Sequence, residues 1–198
     1  VMAARSTDKL QTIADELPAS PGGKVHIVHC DVSRQADCDV LIAEAMRAFG
    51  RIDVLINNAG ISMRALLQDA DVEVIEKLMQ VNFFGTVYCT KAALAEITAN
   101  KGHIVGVSSI AGFRGLPARS GYSASKFAMQ GFLESLRTEL LEKGVHVLVA
   151  CPGFTESNIR KTALTGDGSP QGDTPLKEGN LMTAKRYWNT SRKSRTPH

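Results

Sequence analysis

The chain reads as an α/β protein, a doubly wound, Rossmann-like parallel sheet in a single domain, on three observations. Short apolar runs rich in β-branched residues alternate with longer stretches of helical period, the pattern of strands joined by crossover helices. Cap and turn residues punctuate the junctions between them. Polar residues gather just beyond the carboxyl ends of the runs, where open α/β sheets bind their ligands. With 198 residues, 43% of them hydrophobic and 22% charged, the chain suffices for one core of ordinary composition.

Taken in order, Val1 to Ala4 is the end of a strand, followed by Arg5 and Ser6. Ser6 is placed to cap a helix carried by Leu10, Ile13, Ala14 and Leu17, which stops before Pro18 and the Pro21-Gly22-Gly23 turn. Val25 to Cys30 is a buried strand ending in Asp31-Val32, and Ser33 is placed to cap a helix through Val40, Leu41, Ala45 and Phe49 that Gly50 terminates. Ile52 to Ile56 is a strand opening into Asn57-Asn58-Ala59-Gly60. Two helices follow from about Asp71 to Ala99, with Val81-Asn82 ahead of Gly85. His103 to Val107 is a strand leading to Ser108-Ser109, then a long amphipathic segment runs from Gly121-Tyr122 to about Lys143. Val145 to Ala150 is the last strand, ahead of Pro152-Gly153-Phe154-Thr155. No internal repeat interrupts this alternation.

Composition excludes several classes. Net charge is +3, and much of the basic excess sits in the last fourteen residues, where Lys185, Arg186, Arg192, Lys193 and Arg195 meet no acid. Without that tail nothing points to nucleic acid. Cys30, Cys38, Cys89 and Cys151 are scattered, with no pair at metal-ligand spacing, so reduced thiols in a cytoplasmic setting and no metal are expected. No apolar run approaches the ~18 residues of a membrane span. Asn189-Thr190-Ser191 fits the glycosylation pattern, a short match best read as chance.

The chemistry centres on Tyr122 and Lys126. Four positions apart on a helix, they lie one above the other, so the ammonium sits beneath the phenol. A phenol ionises near ~10, and a neighbouring cation favours the phenolate, bringing the group toward general acid/base work. A Tyr-x-x-x-Lys alone is more often a packed tyrosine and a solvated lysine. The neighbours decide: Ser109 lies thirteen residues upstream of Tyr122, and Asn57-Asn58-Ala59-Gly60 and Asn82 stand at other strand or helix ends.

Together these residues resemble the classical short-chain dehydrogenase/reductase family over about residues 1 to 160. The resemblance implies a Tyr122 acid/base, with Lys126 lowering its pKa and bonding the nicotinamide ribose. It further implies that Ser109 hydrogen-bonds the substrate oxygen and that Asn82 holds a water supplying protons, although a buried asparagine also commonly satisfies backbone groups in a helix kink. Asn58, Ala59 and Gly60 resemble the loop beside the adenine ribose, and Asp31 and Val32 the pair framing the adenine. Pro152, Gly153 and Thr155 resemble the segment that meets the nicotinamide amide and phosphates.

An arginine rather than an acid after the second family strand accommodates a 2′-phosphate, so Arg5 and Ser6 favour NADP(H), with NAD(H) as the lesser option. The substrate is then a small carbonyl compound or alcohol. Ile110, Phe113, Leu116 and Phe154 suggest a hydrophobic one, or are simply core, and the loop from about Thr155 to Pro175 is expected to order over it. Apolar residues on more than one face of the two long helices (Phe84, Val87, Ala92; Phe127, Phe132, Leu133, Leu136) imply a homodimer or homotetramer, or else burial within one subunit.

Two ends depart from the family. Its first strand, glycine-rich turn and first helix would precede Ala4, so the domain is expected to span 1–180 without them and to fold poorly alone, two strands lacking a neighbour. Residues 181–198 form an atypical basic tail. A non-catalytic remnant or oligomerisation partner is therefore the competing reading. A nucleotide-sugar epimerase shares the Tyr and Lys pair but needs a larger substrate domain.

Overall fold

Among the described residues, five short parallel strands fall into two sheets instead of one. The computed structural model describes residues 1–17, 23–153, 155, 157–172 and 183. β1 (Met2–Ala4) pairs with β2 (Ile27–His29), Met2 opposite Ile27. β3 (Val54–Asn57), β4 (His103–Val107) and β5 (His146–Ala150) form the second sheet in that order, with Val54 opposite His103 and His103 opposite His146. These are two wings of a doubly wound sheet. β1 and β3 each have one paired neighbour, and a cavity of about 910 Å³ lies between the wings, lined on one side by Ala3 and Ala4 and on the other by Val54 to Asn57. Val54 and Ile56 on that edge are 52% and 60% exposed, unlike strands covered on both faces.

The helices form where the sequence periodicity puts them, with corrections at the ends. α1 (Thr7–Glu16) starts after Ser6, but that hydroxyl makes no capping bond, and the helix buries no residue: Ile13 and Leu17 are about half exposed. Ser33 does not cap α2 (Gln35–Phe49); its backbone N–H and hydroxyl donate to Asp31, and Arg34 is the cap position. Gly50 ends α2 with φ of 73°, a left-handed turn that glycine adopts without strain. α3 (Val72–Leu78) runs into α4 (Gly85–Ala99) through a π-turn at Met79–Phe84, so the two expected helices are one rod with a bulge at Asn82. α5 (Ser120–Leu140) begins two residues before Tyr122 and passes through a 3₁₀ turn to Lys143.

The core lies between the second sheet, α4 and α5. Ala93, Ile97, Ile104 and Leu133 are fully buried in it. Gly106 lets β4 lie directly under α5: a side chain there would meet Leu133 and, at 2.9 Å, Met129. Of the residues marking an apolar second face, Leu133 and Leu136 belong to this core and Phe132 packs edge-on against Phe83, whereas Phe84 and Phe127 remain 39% and 46% exposed.

Candidate active site

The close approach of β4 and α5 delivers three of the expected residues to one spot. Ser109 follows β4 in extended backbone, its hydroxyl accepting from the Ala111 N–H at 3.2 Å and lying against the Tyr122 phenol. Ser108 beside it turns inward and donates to Gln130 Oε1 at 3.0 Å. The extended backbone sends consecutive side chains to opposite sides, which separates the two serines. Tyr122 and Lys126 occupy the first turns of α5 and are 7% and 3% exposed.

Burial dominates both groups. It lowers the Lys126 ammonium to about 8, opposed by the Cys151 thiol, and Lys126 Nζ donates to the Val107 carbonyl at 2.8 Å. It raises the Tyr122 phenol above the ordinary tyrosine value, while the Ser109 hydroxyl and the Arg119 guanidinium work to lower it. Desolvation outweighs the groups that oppose it, so the phenol is moved in the direction opposite to the one expected from a lysine neighbour.

Asn82, fully buried in the π-turn, spends both amide hydrogens within the protein, on the Ile61 carbonyl at 2.9 Å and the Ser125 hydroxyl at 2.8 Å. Its oxygen accepts from the Ile61 N–H at 2.8 Å. Gly60 packs against this knot: a Cβ there would stand 3.2 Å from Asn82 Oδ1 and 3.4 Å from Lys126 Nζ.

Arg5, Asp31, Val32, Asn58, Ala59 and Gly60 all line the cavity between the two wings. Ser109, Tyr122 and Lys126 do not, nor do Ser6, Pro152, Gly153 and Thr155; Gly60, at the cavity wall and against Lys126, is the link between the two groups. Partial burial works against the Asp31 carboxylate, but two bonds from Ser33, with Arg5 and Arg34 nearby, hold it below the usual range. Val32 is wedged against Gly85, where a Cβ would lie 2.9 Å from its Cγ2. The Thr155 hydroxyl donates to Gly153 O at 3.3 Å, and Phe154 lies outside the described residues, as do 173–182 and the tail from 184. Phe113 is 64% exposed, and Leu116 packs around Tyr122.

Sequence spacing missed two groupings. Arg119, at the cap position of α5 and held by the Ser62 hydroxyl, acts on the Tyr122 phenol. The cysteines are not all scattered: Cys30, Cys38 and Cys89 meet in one buried cluster, brought there by β2, α2 and α4. Burial pushes the Cys30 thiol up to about 12, and contact with Cys89 together with burial raises Cys38. Such thiols are inert, and no metal-binding group of residues occurs among the described residues.

Parallel wings with helical crossovers, and a tyrosine and lysine buried one turn apart beyond a strand end, define a Rossmann-like α/β protein. The chain belongs to the short-chain dehydrogenase family, whose model matches residues 1–167. It is 42% identical over 176 residues to mouse "Dehydrogenase/reductase SDR family member 7B", covering 87% of this chain and 54% of that protein. It is 36% identical to the fruit-fly (Drosophila melanogaster) "Dehydrogenase/reductase SDR family protein 7-like", with the same two coverages. The chain spans about half the length of these curated relatives. Among solved structures, "ElxO with NADP Bound" superposes with a TM-score of 0.73 at 30% identity, covering 80% of this chain and 65% of that one. An alcohol dehydrogenase from the archaeon Thermococcus sibiricus, complexed with 5-hydroxy-NADP, superposes at 0.80 and 24% identity over 98% of this chain and 79% of its own, a likeness of fold.

Proposed function

We propose that the protein is an NADP(H)-dependent oxidoreductase interconverting a small carbonyl compound and a secondary alcohol. The observation that carries this is the meeting of Ser109, Tyr122 and Lys126 at the end of β4. The cavity supports the nucleotide: Arg5 and Asp31 are polar contacts at its rim, and Gly60 presents backbone without a side chain. When bound, the nicotinamide supplies or accepts hydride. Tyr122 gives its proton to the oxygen of the carbonyl being reduced, or takes it from the alcohol. Ser109 donates to the same oxygen as charge develops there. Lys126 would bond the nicotinamide ribose, and Asn82, which holds the helix bulge to Ile61 and Ser125, would hold the water that supplies protons. Pro152, Gly153 and Thr155 would hold the nicotinamide, and Ser6 and Arg5 the 2′-phosphate.

Partners and setting follow the same reading. The exposed Phe84 and Phe127 suit pairing of α4 and α5 with a second copy, giving a homodimer or homotetramer. No helix among the described residues is long and apolar enough to cross a membrane, and free cysteines fit the reducing cytoplasm. One observation favours a second reading, a non-catalytic partner subunit: the division of the sheet at β1 and β3.

Titration of the chain with NADPH and NADH, followed by cofactor fluorescence, separates these readings. Tighter NADPH binding that weakens about tenfold in Arg5→Ala supports the proposal. Tighter NADH binding removes Arg5 from its role, and failure to bind either nucleotide favours the non-catalytic subunit.

A further inference from the structure

One face of α5 grips the end of β4 at three successive turns. Tyr122, Lys126 and Gln130 stand four residues apart on that helix, so their side chains stack along one face. Tyr122 lies against the Ser109 hydroxyl, Lys126 Nζ donates to Val107 O at 2.8 Å, and the Ser108 hydroxyl donates to Gln130 Oε1 at 3.0 Å. The first two contacts belong to the reaction proposed above. Gln130 has no part in that reading, yet it and Ser108 are each only 5% exposed.

The bond between Ser108 and Gln130 sits at the junction of sheet and site. The Ser108 N–H still donates across the sheet to Ala150 O at 2.7 Å, whereas the Ser109 carbonyl already accepts from the Gly112 N–H at 2.9 Å, closing the 3₁₀ turn Ile110–Gly112. That turn folds back onto the bond. A Cβ on Gly112 would overlap Gln130 Oε1 and stand 2.7 Å from Ser108 Oγ, so glycine leaves room for the pair. A buried hydroxyl is costly to leave unpaired, which holds the Ser108 side chain inward. Extended backbone at Ser109 then sends the next side chain to the opposite side, toward Tyr122.

We propose that Gln130 is a positioning residue for the reaction, acting through Ser108: its side-chain carbonyl keeps that hydroxyl inside, and the end of β4 is thereby fixed with Ser109 facing the phenol. This rests on the reading of the protein as a carbonyl–alcohol oxidoreductase and adds to it a residue two turns beyond Tyr122. The choice between the neighbouring serines is made within the protein, before a substrate arrives. Without the bond, Ser109 loses its fixed direction and donates less effectively to the oxygen on which charge develops.

The test compares Gln130→Met, which keeps the volume and removes the acceptor, with Ser108→Ala and with the double variant. Reduction of 4-nitrobenzaldehyde by NADPH is the reporter, on the full chain. Either single variant is expected to lower kcat about tenfold with KM and NADPH affinity nearly unchanged, and the double variant to lose no more than one of them. A second readout needs no turnover: the phenol is titrated by ultraviolet difference against Tyr122→Phe made in the same background. Because the Ser109 hydroxyl works to lower the phenol, its ionisation is expected to move upward in Gln130→Met. Circular dichroism checks folding, and a misfolded Gln130→Met leaves the decision to Ser108→Ala. An unmoved phenol or an intact kcat in a folded variant, or losses that add in the double variant, overturn the proposal. A parent chain that turns over no carbonyl overturns the oxidoreductase reading instead, and the phenol titration then decides the role of Gln130 alone.

Discussion

The amide of Asn82 donates to the Ser125 hydroxyl at 2.8 Å, and that hydroxyl donates to the Tyr122 carbonyl at 2.8 Å. The π-turn is thereby fastened to the first turn of α5. Replacing Asn82 with Leu takes from the buried Ile61 N–H and carbonyl the partners they have, at ~1–3 kcal/mol for each such group. The expected loss is about 3 kcal/mol, read as a lower urea midpoint with an unchanged slope. Ser125→Ala, which removes both the bond from Asn82 and the bond to the Tyr122 carbonyl and leaves one Asn82 N–H unpaired, is expected to cost about 2 kcal/mol.

Much of this arrangement was legible in the sequence. Tyr122 and Lys126 share a helix face by spacing alone, and alternating runs gave the α/β class. The selection of Ser109 over Ser108 came from the resemblance, and extended backbone supplies its physical reason. What stayed hidden is tertiary. Whether Tyr122 is raised or lowered depends on burial, which spacing does not report, and Arg119 enters only once Ser62 fixes it. The thiol cluster joins residues 8 and 51 positions apart, Cys30 with Cys38 and Cys38 with Cys89. Ser33 misled because a serine after a strand serves an aspartate turn as readily as a helix cap.

Gly106 permits the contact that sets Ser109 against Tyr122. A methyl group there collides with Leu133 and stands 2.9 Å from Met129 Cε. Gly106→Ala is expected to destabilise by ~1–3 kcal/mol, as overpacked cores do. A midpoint equal to that of the unaltered chain would mean that β4 and α5 are farther apart than described.

Lys126 gives a pH dependence whose sign can be worked out. Its folded value, about 8, lies below that of a free lysine, so between about pH 8 and ~10.4 the unfolded chain binds more protons. Stability therefore rises with pH across that window, and below it the full cost of a buried ammonium is present. Lys126→Met removes that cost, roughly 3 kcal/mol, and forfeits the bond to Val107 O, about 1 kcal/mol. At pH 7 the variant is expected to be about 2 kcal/mol more stable than its parent, an advantage that shrinks toward pH 10. Urea unfolding at both pH values reads this out, and a variant less stable at pH 7 contradicts it.

The Tyr122 phenol is governed by burial, which favours its protonated form. Held above the ordinary tyrosine value, it keeps its proton through neutral pH, the form that the proposed carbonyl reduction uses. An ultraviolet difference titration of the native chain against Tyr122→Phe isolates this one phenol. Its ionisation is expected above ~10, and higher still in Arg119→Gln, because that substitution removes a cation that opposes the rise. Tyr122→Phe should also lower carbonyl reduction by about a hundredfold or more while leaving nucleotide affinity nearly unchanged. Ionisation below the free phenol's value would instead mean that a nearby positive charge outweighs desolvation, with Lys126, one turn along the helix, as the group to test next.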